Sequence, residues 1–336
     1  MSLDERFEEL AENLGGFYRS WHTYLGIELG FFAPIRASGT TGLTPAELAQ
    51  ATGTQVEPVT AWVRGADSGG LVEFDGERVR IDDDVATILL EDDRPEYLGG
   101  QFVATVVSAM DHDGLADFFR TGRSVPERPP RFHRAIEAVT VQDIAVFFQE
   151  ALAALPELAA DLAAGGRLLD VACGGGRWLI AVARRFPATE LIGVDDVADN
   201  VARALEHVRE AGLEGQIMIE ARDTADLPFP ASFDLVYYQD ALHELADPVA
   251  SLRAAWATVK SGGRLLVLDW CLPDSQDGSR TLQGELHWGV QIDELFQGTR
   301  MYTQAGFEKV FADAGVPRPQ VVDLPSGASI FLAVRD

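Results

Sequence analysis

Lysine is almost missing from this sequence: Lys260 and Lys309 are the only two in 336 residues, and 27 basic residues in all stand against 53 acidic ones, a formal charge of -26. Neutralisation of phosphates by Lys and Arg supplies most nucleic-acid affinity, so this deficit argues against a nucleic acid as substrate or partner. An acidic surface does equally little to attract anionic membranes or anionic metabolites, which favours a neutral or apolar acceptor; the same acidity also serves plain solubility. Cysteine is scarce too. Cys173 and Cys271 are too few and too isolated for a disulfide framework or a thiolate metal cluster, in keeping with a reducing compartment. Long apolar runs are absent, with nothing near the roughly 20 residues that span a bilayer. The opening MSLDERFEELAENL carries acidic residues in place of a basic segment followed by an apolar one, so it does not read as a secretory signal. The expectation is a cytoplasmic protein with no membrane partner, long enough for two domains.

Apolar residues at Leu3, Phe7, Leu10, Leu14, Phe17, Trp21 and Leu25 recur at intervals of three and four, an amphipathic helix that breaks at Pro34. Thr44-Pro45-Ala46-Glu47 spells a capping box with Pro at the first helical position, so a short helix runs from there to Gly53. A second helix from Pro58 gathers Val59, Trp62, Val63 and Ala66 on one face and ends near Gly69-Gly70. Leu71 to Phe74 and Arg78 to Ile81 then flank Asp75-Gly76, a two-residue hairpin signal. Helix, helix and hairpin in that order make a winged helix-turn-helix, in isolation a DNA reader. Its groove-facing helix, however, offers Glu57, Arg64 and Asp67, and its wing offers Glu73, Asp75 and Glu77 beside two arginines. Those charges point to a protein–protein module over residues 1–94.

Residues 95–160 read as a helical linker and pocket wall, interrupted at Arg128-Pro129-Pro130, with Phe132, Ile136, Val139, Ile144, Phe147 and Leu152 as a buried stripe. Over residues 161–336 the pattern changes to short apolar runs alternating with amphipathic helices, the signature of a parallel sheet with crossovers. Expected strands are Arg167 to Ala172, Glu190 to Val194, Gln216 to Ala221, Phe233 to Tyr238 and Arg264 to Leu268, with an antiparallel pair, Gln320 to Leu324 and Ile330 to Val334, closing the sheet.

Leu168-Leu169-Asp170-Val171-Ala172-Cys173-Gly174-Gly175-Gly176 lies where the first strand feeds the first helix. Small residues there let a ligand reach the backbone, and amides at a helix N-terminus donate hydrogen bonds to it. Asp195 ends the second strand, where a carboxylate can accept from both ribose hydroxyls, and Asp223 ends the third, just before Thr224. Either carboxylate also suits a plain helix cap in a tight turn.

Over roughly residues 160 to 336 these motifs resemble the class I S-adenosylmethionine-dependent methyltransferases. With Leu43 to Ala49 and Gly70 to Glu73 included, the whole chain resembles the winged-helix, small-molecule O-methyltransferase group. The resemblance implies an α/β fold, a Rossmann-like domain preceded by a mainly helical winged-helix domain that homodimerises, and S-adenosylmethionine as cofactor. It implies that Asp170 and Gly174 lie against the methionine part, Asp195 holds the ribose, and Asp223 with Thr224 meets the adenine; Ala172, Cys173, Gly176, Asp196 and Gln239 complete the implied cofactor set. The family usually begins its glycine triplet where Ala172 stands.

His243 falls just after the fourth strand, at the sheet edge where open sheets bind ligands. In the resembling enzymes a His at this place is the general base, and imidazole titrates near neutrality; the alternative is a packing histidine that shapes the pocket. Asp269 takes the place of a family Glu with a shorter reach, and Glu294 stands in for a second one that is not evident within Gly298 to Thr303. These departures leave N- and C-methylation open beside O-methylation of a small aromatic or keto/hydroxy metabolite. Met110, Phe147, Phe148, His287 and Trp288 are the expected pocket wall. His287, Asp293, Glu294 and His243 would also make a two-His-one-carboxylate metal site, as some related enzymes that methylate 2-oxo acids at carbon use bound iron, but their spacing is no metal motif and no metal is expected. A non-methylating enzyme that keeps the cofactor and a cofactor-sensing DNA-binding regulator are the other functions left open.

Overall fold

A computed structural model of the chain describes residues 2–125 and 128–336. The chain divides into two compact units, one running to His112 and resuming over Pro129–Gln142, the other made of Asp113–Arg128 and Asp143–Asp336. The stretch read as a linker is thus shared between them.

In the first unit the long helix Leu3–Glu28 starts on a capping box at Ser2 and Glu5, and Pro45–Thr52 starts on the expected one at Thr44 and Glu47 and stops at left-handed Gly53. Val56–Ser68 begins two residues ahead of Pro58, because a proline in the first helical turn has no amide to lose. The hairpin is short, Glu73–Phe74 against Val79–Arg80, and its tight turn falls on Gly76-Glu77 and not on Asp75-Gly76. Asp75 is held outside the turn, its amide donating to the Arg78 carbonyl at 3.2 Å. Its carboxylate accepts from the amides of Glu77 and Arg78. A further helix, Asp83–Leu90, capped by Asp82, went unanticipated.

The core of this unit joins Phe31, Phe32, Ile35, Leu48, Val59, Trp62, Val63 and Val79, with the Phe31 and Trp62 rings 4.7 Å apart. The helices approach so closely at Gly26 that a Cβ there would lie 2.4 Å from the Phe32 ring. Toward the start of the first helix the apolar stripe is open, and Leu3, Phe7, Leu10, Leu14 and Phe17 are 52% to 85% exposed.

The second unit is built on a seven-stranded sheet. Its strands are β1 Gly166–Val171, β2 Thr189–Asp195, β3 Ile217–Ala221, β4 Phe233–Gln239, β5 Val259–Trp270, β6 Gln320–Asp323 and β7 Ala328–Val334. Their spatial order is β3-β2-β1-β4-β5-β7-β6; the first five are parallel, as the alternation of runs and helices implied, and β7 pairs antiparallel with both β5 and β6, so it alone runs against the rest. Because successive side chains point to opposite faces, Leu168 joins one core with Trp178, Leu191, Tyr237, Leu266 and Phe147, while Leu169 joins the other with Ile192, Val236, Leu265, Phe307 and Phe331. Burial on both faces is why these strands read as unbroken apolar runs. Strand order reverses between β1 and β4, which opens a crevice at their carboxyl ends. Among the described residues no single helix is long and apolar enough to cross a membrane.

Candidate active site

The first side of the crevice is the turn after β1. Ala172, Gly174 and Gly176 all take positive φ, at 60°, 52° and 71°, so the loop turns three times through a region that only glycine enters without strain. At Gly174 a Cβ would find nothing within 4 Å, which leaves the backbone open for a ligand. Cys173 is turned inward, its sulfur filling the space a side chain at Gly193 would occupy, so only its backbone lines the loop. Gly176 opens the helix Arg177–Arg185, and His207 closes on the Gly175 carbonyl at 2.9 Å.

Asp170 is 2% exposed, and among the described residues no hydrogen-bond donor meets its carboxylate. Burial, and then the charge of Asp195, push its pKa well above the ordinary carboxylate range. Asp195 is buried as well but already engaged: it accepts from the Gly174 amide at 2.9 Å, the Val197 amide at 3.0 Å and the Asn200 side chain at 3.1 Å. It therefore ties the glycine turn to the end of β2, and roughly one of its four lone-pair sites is left for a ligand. Asp196 points outward. Asp223 is exposed and caps its own turn at the Ala225 amide, while Thr224 beside it is buried.

The other side follows β4. Gln239 ends the strand, Asp240 takes a left-handed φ of 46°, and a single turn, Leu242–Glu244, carries His243 into the interior. His243 Nδ1 lies 2.9 Å from Asp269 Oδ1 and 3.8 Å from Asp240 Oδ1. Asp269 is fully buried at the end of β5. Burial alone pulls the His243 pKa down, but Asp269, then Asp240 and Glu294, outweigh it and carry it well above the ordinary imidazole value. Asp240 is itself pushed up to about 7, by burial first.

Glu294, on the helix Leu282–Gln297, reaches the same place, with one carboxylate oxygen held by Gln297 and Thr299. Ligand atoms of Asp240, His243 and Asp269 lie within 4.8 Å of one another, as do those of His243, Glu244 and Glu294. Glu244 stands exposed at the rim. Either group of three is close enough to hold a cation.

Sequence reasoning missed Asp143. This residue is 1% exposed; its Oδ1 accepts from the Trp270 indole at 3.1 Å, and its Oδ2 has no partner among the described residues. The only available signal was an acidic residue within a buried helical stripe. Of the residues weighed and set aside as a metal site, Asp293 is drawn off by Arg128 at 2.9 Å, since one helical residue turns it about 100° from Glu294, and His287 is bound to the Cys271 carbonyl at 2.8 Å. The two-His-one-carboxylate grouping does not assemble.

Most of the expected pocket wall also lies elsewhere. Phe147 is sealed in the sheet core, 5.2 Å from the Trp178 ring and 5.1 Å from Tyr237. Phe148 stacks on Phe186, which follows the helix leaving β1 and so belongs to the amino edge of the sheet, away from the crevice. Trp288 is turned outward to Ser279. Met110 is 39% exposed in the first unit.

Comparison with known proteins agrees with this fold. Residues 162–315 match a family model described as a methyltransferase domain. The chain is 34% identical over 118 residues to 27-O-demethylrifamycin SV methyltransferase of Amycolatopsis mediterranei, covering 35% of this chain and 43% of that protein. It is 28% identical over 154 residues to phosphoethanolamine N-methyltransferase 3 of Arabidopsis thaliana, covering 46% of this chain and 31% of that protein. The matched region thus spans between about a third and under half of these curated relatives' length. Among solved structures, CalO1, a methyltransferase in calicheamicin biosynthesis in its SAH-bound form, superposes with a TM-score of 0.70 at 22% identity over 100% of both chains.

Proposed function

Residues 162–315 being a methyltransferase domain, we propose that this protein transfers a methyl group from S-adenosylmethionine to a hydroxyl of a small organic acceptor, with His243 as general base. The observation that carries this reading is the His243–Asp269 pair, 2.9 Å apart and buried at the carboxyl edge of the sheet beside the glycine turn.

When bound, the cofactor supplies an activated sulfonium methyl. The residues present fit it. Asp170, a buried carboxylate that meets no donor among the described residues, suits the ammonium of the methionine part. The open face of Gly174 admits the ligand against the backbone. Asp195 keeps the turn in shape and offers its remaining lone pair to the ribose, and buried Thr224 stands where the adenine is expected.

Asp269 accepts from Nδ1–H of His243, which fixes the tautomer and leaves the other ring nitrogen to take the acceptor's proton. As that proton leaves, the acceptor oxygen forms its bond to the methyl carbon while the carbon–sulfur bond breaks. In the unliganded protein the surrounding carboxylates hold the imidazole cationic, and positive charge brought in by the ligands opposes this and frees the base.

The exposed stripe of the first helix supports a homodimer. Leu3, Phe7, Leu10, Leu14, Phe17 and Trp21 follow a seven-residue repeat, which pairs one helix with another. Cofactor titration calorimetry, together with a mass-spectrometric assay of methyl transfer to a panel of phenols and hydroxy acids, tests the reading. His243→Ala is expected to lower kcat by roughly 10² to 10⁴. Full turnover in that variant, or tight cofactor binding with no methylated product from any acceptor, sinks it.

A further inference from the structure

We infer that the acceptor of this enzyme carries a basic nitrogen, and that its ammonium is received by Asp143 within the carboxylate cluster around His243. The inference rests on the methyl-transfer reading and specifies its substrate class.

Four carboxylates, Asp143, Asp240, Asp269 and Glu294, converge on one imidazole, with Glu244 at the rim. Among the described residues the ion-pair partner of Asp240 and Asp269 is His243 alone, and no Lys or Arg pairs with Asp143 or Glu294. Arg128, which reaches the helix that carries Glu294, pairs there with Asp293. A buried group of this kind, with four acids against one potential cation, is stable with its carboxylates ionised only if positive charge arrives with a ligand.

Asp143 is where that charge is missing. Its Oδ1 is fixed by the Trp270 indole, and the Trp270 amide is in turn held by Asp269 at 2.8 Å, so the carboxylate is locked in orientation. The Oδ2 that has no partner among the described residues belongs to a carboxylate close enough to Asp240, Asp269 and His243 to feel their charges, which ties it to the cluster around His243. The hydroxyl of Tyr237, fully buried and likewise without a partner among the described residues, feels the charges of Asp143 and Asp170. A carboxylate needs donors, and in this place the acceptor must supply them. An ammonium does so with several N–H groups and offsets charge as well. A carboxylate or phosphate on the acceptor would instead add to the repulsion.

The test uses three catechols of nearly one shape that differ in the side-chain end: dopamine, 3,4-dihydroxyphenylacetate and 4-ethylcatechol. Their binding to the full-length protein loaded with S-adenosylhomocysteine is measured by calorimetry, and their methylation by mass spectrometry. The amine is expected to bind at least about tenfold tighter than the neutral catechol, in line with a hydrogen bond to a charged group, and the acid to bind weakest. Asp143→Asn should erase most of the amine advantage. Removing an unpaired buried charge should leave its melting temperature no lower than wild type, and the wild-type ladder is informative without the variant.

Equal or tighter binding of the neutral or acidic catechol, or no binding of any, overturns the inference. So does a divalent metal ion that copurifies at one per chain and whose removal by EDTA abolishes binding of the amine. Selective binding of the amine with no methylation of any of the three would support the ammonium site at Asp143 and overturn the methyl-transfer reading.

Discussion

Asp269→Asn isolates the chemistry of the His243 pair from its packing. The two side chains have nearly one shape, and Asn Oδ1 can still accept from the Trp270 amide, so the site should not collapse. Two things change. The amide nitrogen presents hydrogens to Nδ1 and favours the tautomer whose other nitrogen is already protonated, which removes the base. It also deletes the largest upward influence on the His243 pKa, a full charge 2.9 Å away in a site from which water is excluded.

In wild type the base is active only once the pH rises through a His243 pKa above the ordinary imidazole value, so activity should climb through the neutral and mildly alkaline range. In the variant, burial is opposed only by Asp240 and Glu294, and an opposite charge at such a distance is typically worth about 1 to 3 pKa units. The acid limb of kcat/KM should therefore move down by at least about one unit, while the plateau falls by roughly 10² to 10⁴, the range of a general base. The assay is a pH series from about 5.5 to 10 with saturating S-adenosylmethionine, alongside calorimetric cofactor titration, which should be unchanged. A plateau within threefold of wild type, or a limb that stays in place or moves upward, would refute the assignment of His243 as a base oriented by Asp269.

Other consequences are separately measurable. Ala172 pays for a left-handed φ of 60°, so Ala172→Gly should relieve about 1 to 2 kcal/mol of strain against about 0.4 to 1 lost to the unfolded chain; the net gain appears as a rise of a few degrees in melting temperature, and a fall would show that the methyl packs usefully. Asp170→Asn should weaken S-adenosylmethionine by at least about tenfold in calorimetry, through the lost charge-assisted contact to the ammonium, and unchanged affinity would place that group elsewhere. Replacing Phe7, Leu10 and Leu14 together with serine should convert a dimer to a monomer by light scattering; a wild-type monomer at micromolar concentration would refute the pairing.

Asp240 holds its proton up to about pH 7 when folded but only to about 3.8 when unfolded. Between those values the folded state binds more protons, so this group costs stability as pH rises, by at most about 1.4 kcal/mol per unit. Urea titrations should show Asp240→Asn gaining on wild type from pH 4 to 7, and parallel curves would contradict the raised pKa. Asn also tolerates the left-handed backbone at this position.

What the sequence decided by itself was whatever depends on local period and local caps. Apolar runs bounded by Gly, Asp and Pro placed the strands of the sheet to within a few residues, although β5 begins five residues early, at Val259, through an irregularity opposite Phe233. Thr44 with Glu47 named a helix start, and the run from Leu168 to Gly176 named a strand-to-helix turn, because glycines after an apolar run end a strand where the backbone must take positive φ. The positions of His243 and Asp269 at strand ends put both at the crevice before any coordinates.

Only tertiary structure decided which side chains meet. Phe148 and Trp288 have the composition of a pocket wall, yet one stacks at the opposite edge of the sheet and the other faces outward. Asp293 and Glu294 are neighbours in sequence, but a rotation of about 100° gives one to Arg128 and the other to His243. Asp143 sits 97 residues before Asp240 and 126 before Asp269, in a helical stripe whose apolar period marks burial and not chemistry, and only its meeting with the Trp270 indole at the end of β5 leaves it a buried acid with one oxygen unpartnered among the described residues. Local energetics are written in neighbours along the chain. The charge of a site is a sum over residues from distant segments, and that sum exists only once the chain has folded.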